Sequence, residues 1–187
     1  GEILYKQKRV GLGGTNFHLF KFATMLRNSE KMGTGTITIK NDPRVLPFGR
    51  FLRKSKINEL PQIFNVLFGD MSLIGPRPQT RRCFDAFPIS SQNKIINVLP
   101  GLSGIGSIVF RDEEELMAKA EDPDSFYDNV VMPYKGMLEE WYVENISVKN
   151  YFMMIIFTLL SVVLPKSKYI EDYYSDLPQK PQELKTV

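Results

Sequence analysis

The apolar and polar positions of this chain alternate in several distinct ways. Residues 3–5 and 17–22 read as short strands around the turn Gly11-Leu12-Gly13-Gly14, and 34–40 alternates Thr and Ile as another strand would. Asn41-Asp42-Pro43 is turn chemistry. Ile57, Leu60, Phe64 and Leu67 then recur at spacings of three and four and form one helical apolar stripe. Proline fits a helix first turn, where its missing N–H has no partner to lose, so Pro61 predicts a start just before it. Asn58 is then the expected N-cap, and Gly69-Asp70 the end. Gly75-Pro76-Arg77-Pro78 and residues 100–106 read as loops, and 112–120 as an acidic helix. Residues 139–145 lead into an uncharged run, 150–165, whose apolar part is 151–164. A membrane span needs about 20 such residues. The run therefore predicts a buried or interfacial helix, stopped by Pro165. Residues 165–187 are polar and proline-dotted and are expected to form a mobile tail behind one domain, 1–164.

Composition adds exclusions. Cys83 is the only cysteine and His18 the only histidine, so an internal disulfide and a structural zinc site of the usual kind are ruled out. Cys83 reads as a small buried hydrophobe, and His18 as a strand-face residue rather than a triad base. The Gly11–Gly14 turn lacks a Gly-Lys-Ser/Thr and a following helix, so a hairpin turn is the better reading than a phosphate loop. The first residues, Gly1-Glu2, read as a processed, truncated or engineered start. The net charge of +3 hides an asymmetry. Residues 1–94 hold 16 Lys and Arg against 6 Asp and Glu, and residues 95–187 hold 8 against 15. A strongly basic half implies an anionic partner: a nucleic acid, a phosphate ligand or an acidic membrane surface.

Two segments carry candidate chemistry. From Arg50 to Gln62, several cations precede a helix start whose free N–H groups already favour an anion, and Glu59 faces the same place. The plainer reading is a cap plus a dipole-complementing charge, worth about 1 kcal/mol. In Gly75-Pro76-Arg77-Pro78, proline on each side restricts Arg77, which then loses less entropy on gripping a phosphate and can do so bidentately. A rigid surface turn is the alternative.

Nine segments occur in order: Lys6-Gln7-Lys8-Arg9-Val10-Gly11, Lys21-Phe22-Ala23-Thr24-Met25, Phe48-Gly49-Arg50-Phe51-Leu52-Arg53, Asn58-Glu59-Leu60-Pro61-Gln62, Asn65-Val66-Leu67, Gly69-Asp70-Met71-Ser72, Gly75-Pro76-Arg77-Pro78, Pro100-Gly101-Leu102-Ser103-Gly104 and Trp141-Tyr142-Val143-Glu144-Asn145. Together they resemble the bacterial sugar transferases, the monotopic polyprenyl-phosphate phosphoglycosyl transferases, over about residues 1–164. The resemblance implies transfer of sugar-1-phosphate from a UDP-sugar to undecaprenyl phosphate, with release of UMP, as a first membrane step of surface polysaccharide or glycoconjugate synthesis. It implies an Asp-Glu pair with Mg²⁺, and a cytoplasmic-facing site on the bacterial inner membrane. Glu59 is the implied catalytic carboxylate and metal ligand, with Asn58 beside it at the family's Asp position. Lys21, Arg53, Arg77 and Arg111 are implied around the substrate, and Glu139 falls where the family often has Asp.

This chain departs from the pattern in three ways. Asn58 replaces an Asp, Ala23 replaces a usual Arg, and the re-entrant hydrophobic helix expected just before Gly1 is not in the sequence. The resulting expectation is an α+β fold, mainly helical with a small N-terminal antiparallel sheet, belonging to a membrane-associated monotopic enzyme without that anchor. Asn58, a very poor nucleophile, motivates the alternative of a catalytically impaired relative acting as a binding or scaffold module. Nucleic acid is disfavoured as the partner, because aromatics are not interleaved with the basic residues as a stacking platform.

Overall fold

A computed structural model describes residues 3–33, 38, 42–164 and 169–184. Most of the expected strand at 34–40, and Pro165, lie outside the described residues.

The chain opens with the hairpin β1 (Leu4–Val10) and β2 (Asn16–Phe22), antiparallel with Tyr5 opposite Lys21. Its reversal is a single 3₁₀ turn, Leu12–Gly14, in which Gly13 and Gly14 both have positive φ, where a Cβ would clash with the backbone. Helix α1 (Pro47–Lys54) starts with proline in its first turn, as a missing N–H allows. A 3₁₀ turn, Ile57–Glu59, leads through Pro61 into α2 (Gln62–Leu67). Strand β3 (Ser72–Ile74) follows, then α3 (Arg81–Asp85) and α4 (Ile89–Ile95). Strand β4 (Gly101–Ser103) runs parallel to β3, a pairing not apparent in the sequence. Glycine is required there: a Cβ on Gly101 or Gly104 would overlap the backbone of Gly75.

Helices α5 (Ile105–Val109), α6 (Glu113–Lys119) and α7 (Pro123–Phe126) lead through a π turn, Tyr127–Val131, into α8 (Met132–Glu144). The core forms around α8, which packs on α4 and α5. Val131, Met132 and Leu138 have no exposed surface. Burying one such side chain contributes about 2 kcal/mol.

Helix α9 (Val148–Val163) is capped by Ser147 Oγ, which accepts from Asn150 N at 3.1 Å. It is the expected helix over the uncharged run, and it is two-sided. Met154 and Phe157 enter the core, while Phe152, Ile156, Leu159, Val162 and Val163 face outward. No helix among the described residues is long and apolar enough to cross a membrane.

The apolar stripe read in the sequence of α2 faces outward: Leu60, Phe64 and Leu67 are exposed, while Gln62 and Asn65 are buried. The polar face is turned inward because Asn65 bridges to the hairpin, accepting from Phe20 N at 3.0 Å and donating to His18 O at 2.8 Å. One expectation is corrected, that of a mobile tail at residues 169–184. They form α10 (Tyr169–Tyr173) and a packed strap. Ile170, Tyr174 and Leu184 are buried, Trp141 Nε1 donates to Asp176 Oδ2 at 2.9 Å, and Tyr134 OH donates to Pro178 O at 3.2 Å. Three well-spaced apolar anchors suffice to dock an otherwise polar segment.

Candidate active site

Three elements far apart in sequence meet at one carboxylate. Glu59 ends the 3₁₀ turn before α2, and Lys56, in the left-handed region at φ 60°, redirects the chain into that turn. Asn65 ties α2 to β2 and so brings Lys21 alongside, its Nζ 4.0 Å from Glu59 Oε1. Arg77 reaches in from the loop after β3 and donates from Nη2 to the same Oε1 at 2.8 Å. The Lys21 and Glu59 side chains are mostly buried, and that of Arg77 is 31% exposed.

Burial alone raises the pKa of Glu59. Arg77 and then Lys21 overcome it and hold the carboxyl down at about 2, so it is ionised throughout the physiological range. Lys21 shows the reverse balance. Burial dominates and Glu59 offsets it only in part, while Arg9, Arg77 and Arg53 push it further down, to about 7. The cluster thus holds more cationic than anionic groups and keeps Lys21 close to neutrality. A bound anion such as a phosphate reverses the repulsion that lowers it.

Asn58 does not act as an N-cap. The turn satisfies its own backbone, Glu59 N donating to Lys56 O and Leu60 N to Ile57 O, so the amide side chain is free to turn inward. It is buried, and its Oδ1 has no hydrogen-bond partner. An orphaned buried oxygen next in sequence to an ionised carboxylate suits a hard divalent cation, and Mg²⁺ usually takes one or two protein oxygens plus substrate phosphates. Among the described residues no three His, Cys, Asp or Glu side chains converge as a metal site, so Mg²⁺ here would rest on Glu59, Asn58 Oδ1 and the substrate.

The other expected site residues are placed differently. Arg53 is engaged with Glu114 at 2.7 Å, near enough to depress Lys21. Arg111 lies between α5 and α6 and lines a cleft of about 290 Å³ with Glu113, Ser161 and Tyr169. Its Nη1 is buried without a partner.

Glu139 is no solvated helix charge: it is 1% exposed. Its Oε1 accepts from Arg77 N at 3.4 Å, and its Oε2 is buried and unpaired. Burial raises its pKa to about 7. The folded chain therefore keeps this proton up to about pH 7, while the unfolded chain releases it near 4.5. With the folded state binding more protons in that window, stability falls as pH rises from about 4.5 to about 7. Glu139→Gln should abolish that fall and gain on the order of 3 kcal/mol over the native chain above neutrality. Chemical denaturation of both proteins at about pH 4 and about pH 8 checks it, and equal pH dependence would refute the assignment.

Sequence reasoning passed over three charged residues here. Lys135, 2% exposed, donates to Glu113 Oε2 at 2.8 Å, and Glu113 in turn acts on Arg77. Arg9 was visible only as part of a basic string, yet its Nη1 donates to Pro78 O at 3.2 Å.

Comparison with known proteins gives this geometry a context. Residues 1–165 match the family described as bacterial sugar transferase. The chain is 43% identical over 113 residues to an Aeromonas hydrophila UDP-N-acetylgalactosamine-undecaprenyl-phosphate N-acetylgalactosaminephosphotransferase, covering 58% of this chain and 26% of that protein. It is 45% identical over 103 residues to a putative undecaprenyl-phosphate N-acetylgalactosaminyl 1-phosphate transferase of Bacillus subtilis, covering 55% and 52%. It is 32% identical over 183 residues to the undecaprenyl-phosphate galactose phosphotransferase of Salmonella typhimurium, covering 88% and 34%. The match thus spans only about a quarter to about half of these relatives' own length.

Proposed function

Because the chain belongs to the bacterial sugar transferase family, we propose that it moves sugar-1-phosphate from a UDP-sugar to undecaprenyl phosphate and releases UMP. The observation that carries this reading is the mostly buried Glu59 carboxylate held between Arg77 and Lys21 and next in sequence to Asn58, whose Oδ1 is unpaired. Two cations around one ionised carboxylate suit a pyrophosphate, whose charge they neutralise. Mg²⁺, when held by Glu59 and Asn58, adds charge neutralisation on the phosphoryl oxygens.

In the first step a Glu59 carboxylate oxygen attacks the β-phosphorus, which carries the sugar. An acyl–phosphate bond forms, the bond from that phosphorus to the bridging oxygen breaks, and UMP leaves with the electron pair. In the second step a phosphate oxygen of undecaprenyl phosphate attacks the same phosphorus, and the Glu59 carboxylate leaves. The product is a lipid pyrophosphate bearing the sugar, and no proton is gained or lost by Glu59. A carboxyl held at about 2 suits this role: it is always ionised, and as a weak base it departs readily in the second step.

The reading sets the enzyme at the cytoplasmic face of the membrane, and the outward apolar side chains support the membrane-surface part of it. Phe48 and Phe51 on α1, Ile63, Phe64 and Leu67 on α2, and the outer row of α9 are all exposed. α2 and α9 both pack on β4. Arg50, Lys54 and Lys56 lie beside these rows in sequence, as anionic headgroups favour.

Asn58 sustains one second reading, a catalytically impaired family member that binds without turning over. One experiment separates the two. The full-length protein is mixed with a panel of UDP-sugars and Mg²⁺ without lipid acceptor, and UMP and intact protein mass are followed. The expected result is stoichiometric UMP and a sugar-phosphate adduct that peptide mapping places on Glu59. Neither UMP nor adduct with any donor, alongside measurable UDP binding, would favour the binding module.

A further inference from the structure

Resting on that reading, we propose that Arg9 and Glu139 are positioning residues that hold the Arg77 backbone from its two ends along the chain, so that the guanidinium arrives at Glu59 already aimed.

Between two prolines, Arg77 supplies the only amide N–H of residues 76–78, and that N–H goes to Glu139 Oε1 at 3.4 Å. On the other side, Pro78 O accepts from Arg9 Nη1 at 3.2 Å, and the next carbonyl, Gln79 O, accepts from Val10 N at 2.9 Å. Gly101 N donates to Pro76 O at 2.9 Å. The segment is thus tied to the hairpin, to α8 and to β4, by bonds that bypass the Arg77 side chain.

Both holders sit at an energetic cost. Arg9 is partly buried close to a second guanidinium, and burial, then Arg77, lower its affinity for its proton. Glu139 places a carboxyl in the core, with one oxygen unpaired. It also lies so close to Gly106 that a Cβ there would overlap Oε1. A hydrophobic pair fills such space more stably, so two ionisable groups set against one loop at such a cost point to what that loop does.

The test uses protein labelled with ¹⁵N in arginine side chains, in which the Nε–Hε resonance of Arg77 reports whether its guanidinium is fixed, together with steady-state kinetics on a UDP-sugar. In Glu139→Ala and in Arg9→Met, the Arg77 resonance should move into the envelope of free arginines. kcat should fall about tenfold or more, with a smaller change in KM. Glu139→Gln keeps a carbonyl oxygen at the Oε1 position and should restore both readouts. In an Arg77→Lys background, Arg9→Met should add less than about a twofold loss, because the two act through one residue. An unmoved Arg77 resonance in a folded Glu139→Ala protein overturns the proposal, as does an equal fold-loss from Arg9→Met in both backgrounds. If Glu139→Ala does not fold, Arg9→Met decides by the same measurements. A protein inactive on every UDP-sugar would defeat the functional reading, and the resonance would still decide this one.

Discussion

Glu59→Gln should lower kcat on the order of a thousandfold or more, equivalent to about 4 kcal/mol of barrier or more, while the protein remains folded. The amide is nearly isosteric and can still accept from Arg77, so the 2.8 Å contact has a replacement and the 3₁₀ turn keeps its main-chain bonds. What disappears is the charge. Glutamine has no anion to attack phosphorus, and Arg77 and Lys21 lose the carboxylate charge that lay between them. Lys21 is able to shed its proton, and Arg77 is 31% exposed, so both relax without unfolding the chain. Single-turnover release of UMP, with circular dichroism on the same sample, checks both halves. Near-native UMP release from the Gln variant would remove Glu59 from the chemistry. Asn58→Asp complements it. If residue 58 is a decayed nucleophile position, that variant should gain activity and carry the adduct itself, whereas an adduct that stays on Glu59 assigns the role to Glu59 in this chain.

Arg77→Lys should cost about a hundredfold in kcat/KM for the UDP-sugar, close to what removal of one preorganised donor costs in other sites. Arg77 uses Nη2 on Glu59 and keeps further N–H groups of the same planar fork for a phosphate oxygen. Lysine has three N–H donors on one compact centre and cannot copy the planar fork that grips the carboxylate and a phosphate oxygen in fixed directions. The backbone that aims residue 77 remains intact in this variant, since its bonds to Glu139 and β4 are made by main-chain atoms. The expected loss is therefore of chemistry rather than of fold. A Lys variant with native kcat and KM would show that a point charge suffices there.

Parts of this arrangement were legible in the sequence. The hairpin, the acidic helix and the uncharged helix all follow from periodicity and turn residues. Glu59 and Arg77 stood out as chemistry and Lys21 was implied by the family resemblance, and the structure brings both cations within 4.0 Å of one Glu59 oxygen. What remained hidden has a physical reason in each case. The apolar row of α2 is visible as a row, but periodicity does not say whether core or exterior receives it, and the buried Asn65 on the opposite face turns it outward. The parallel β3–β4 pair is three residues long on each strand and depends on glycines that allow backbones to touch, which no alternation reveals. Arg9 and Glu139 act on carbonyl and amide groups of another segment, and main-chain partners leave no mark on the residue types of either. Asn58 looked like a helix cap because Asn commonly is one, and only the 3₁₀ turn, which satisfies itself, released the side chain inward.

The docked strap at 169–184 bears on how the protein is handled at the bench. A fragment cut at the end of α9 would uncover Phe157, which stacks on Tyr169 with ring centroids 5.7 Å apart, and Trp141, whose ring meets Tyr174 at 4.8 Å. It would also leave the Trp141 indole N–H without its Asp176 acceptor and Tyr134 OH without Pro178. Such a fragment exposes a fresh aromatic face next to the already apolar outer row of α9 and invites aggregation in detergent-free buffer. Domain-boundary choices for expression, and protease-trimming of crystals, should therefore retain Leu184.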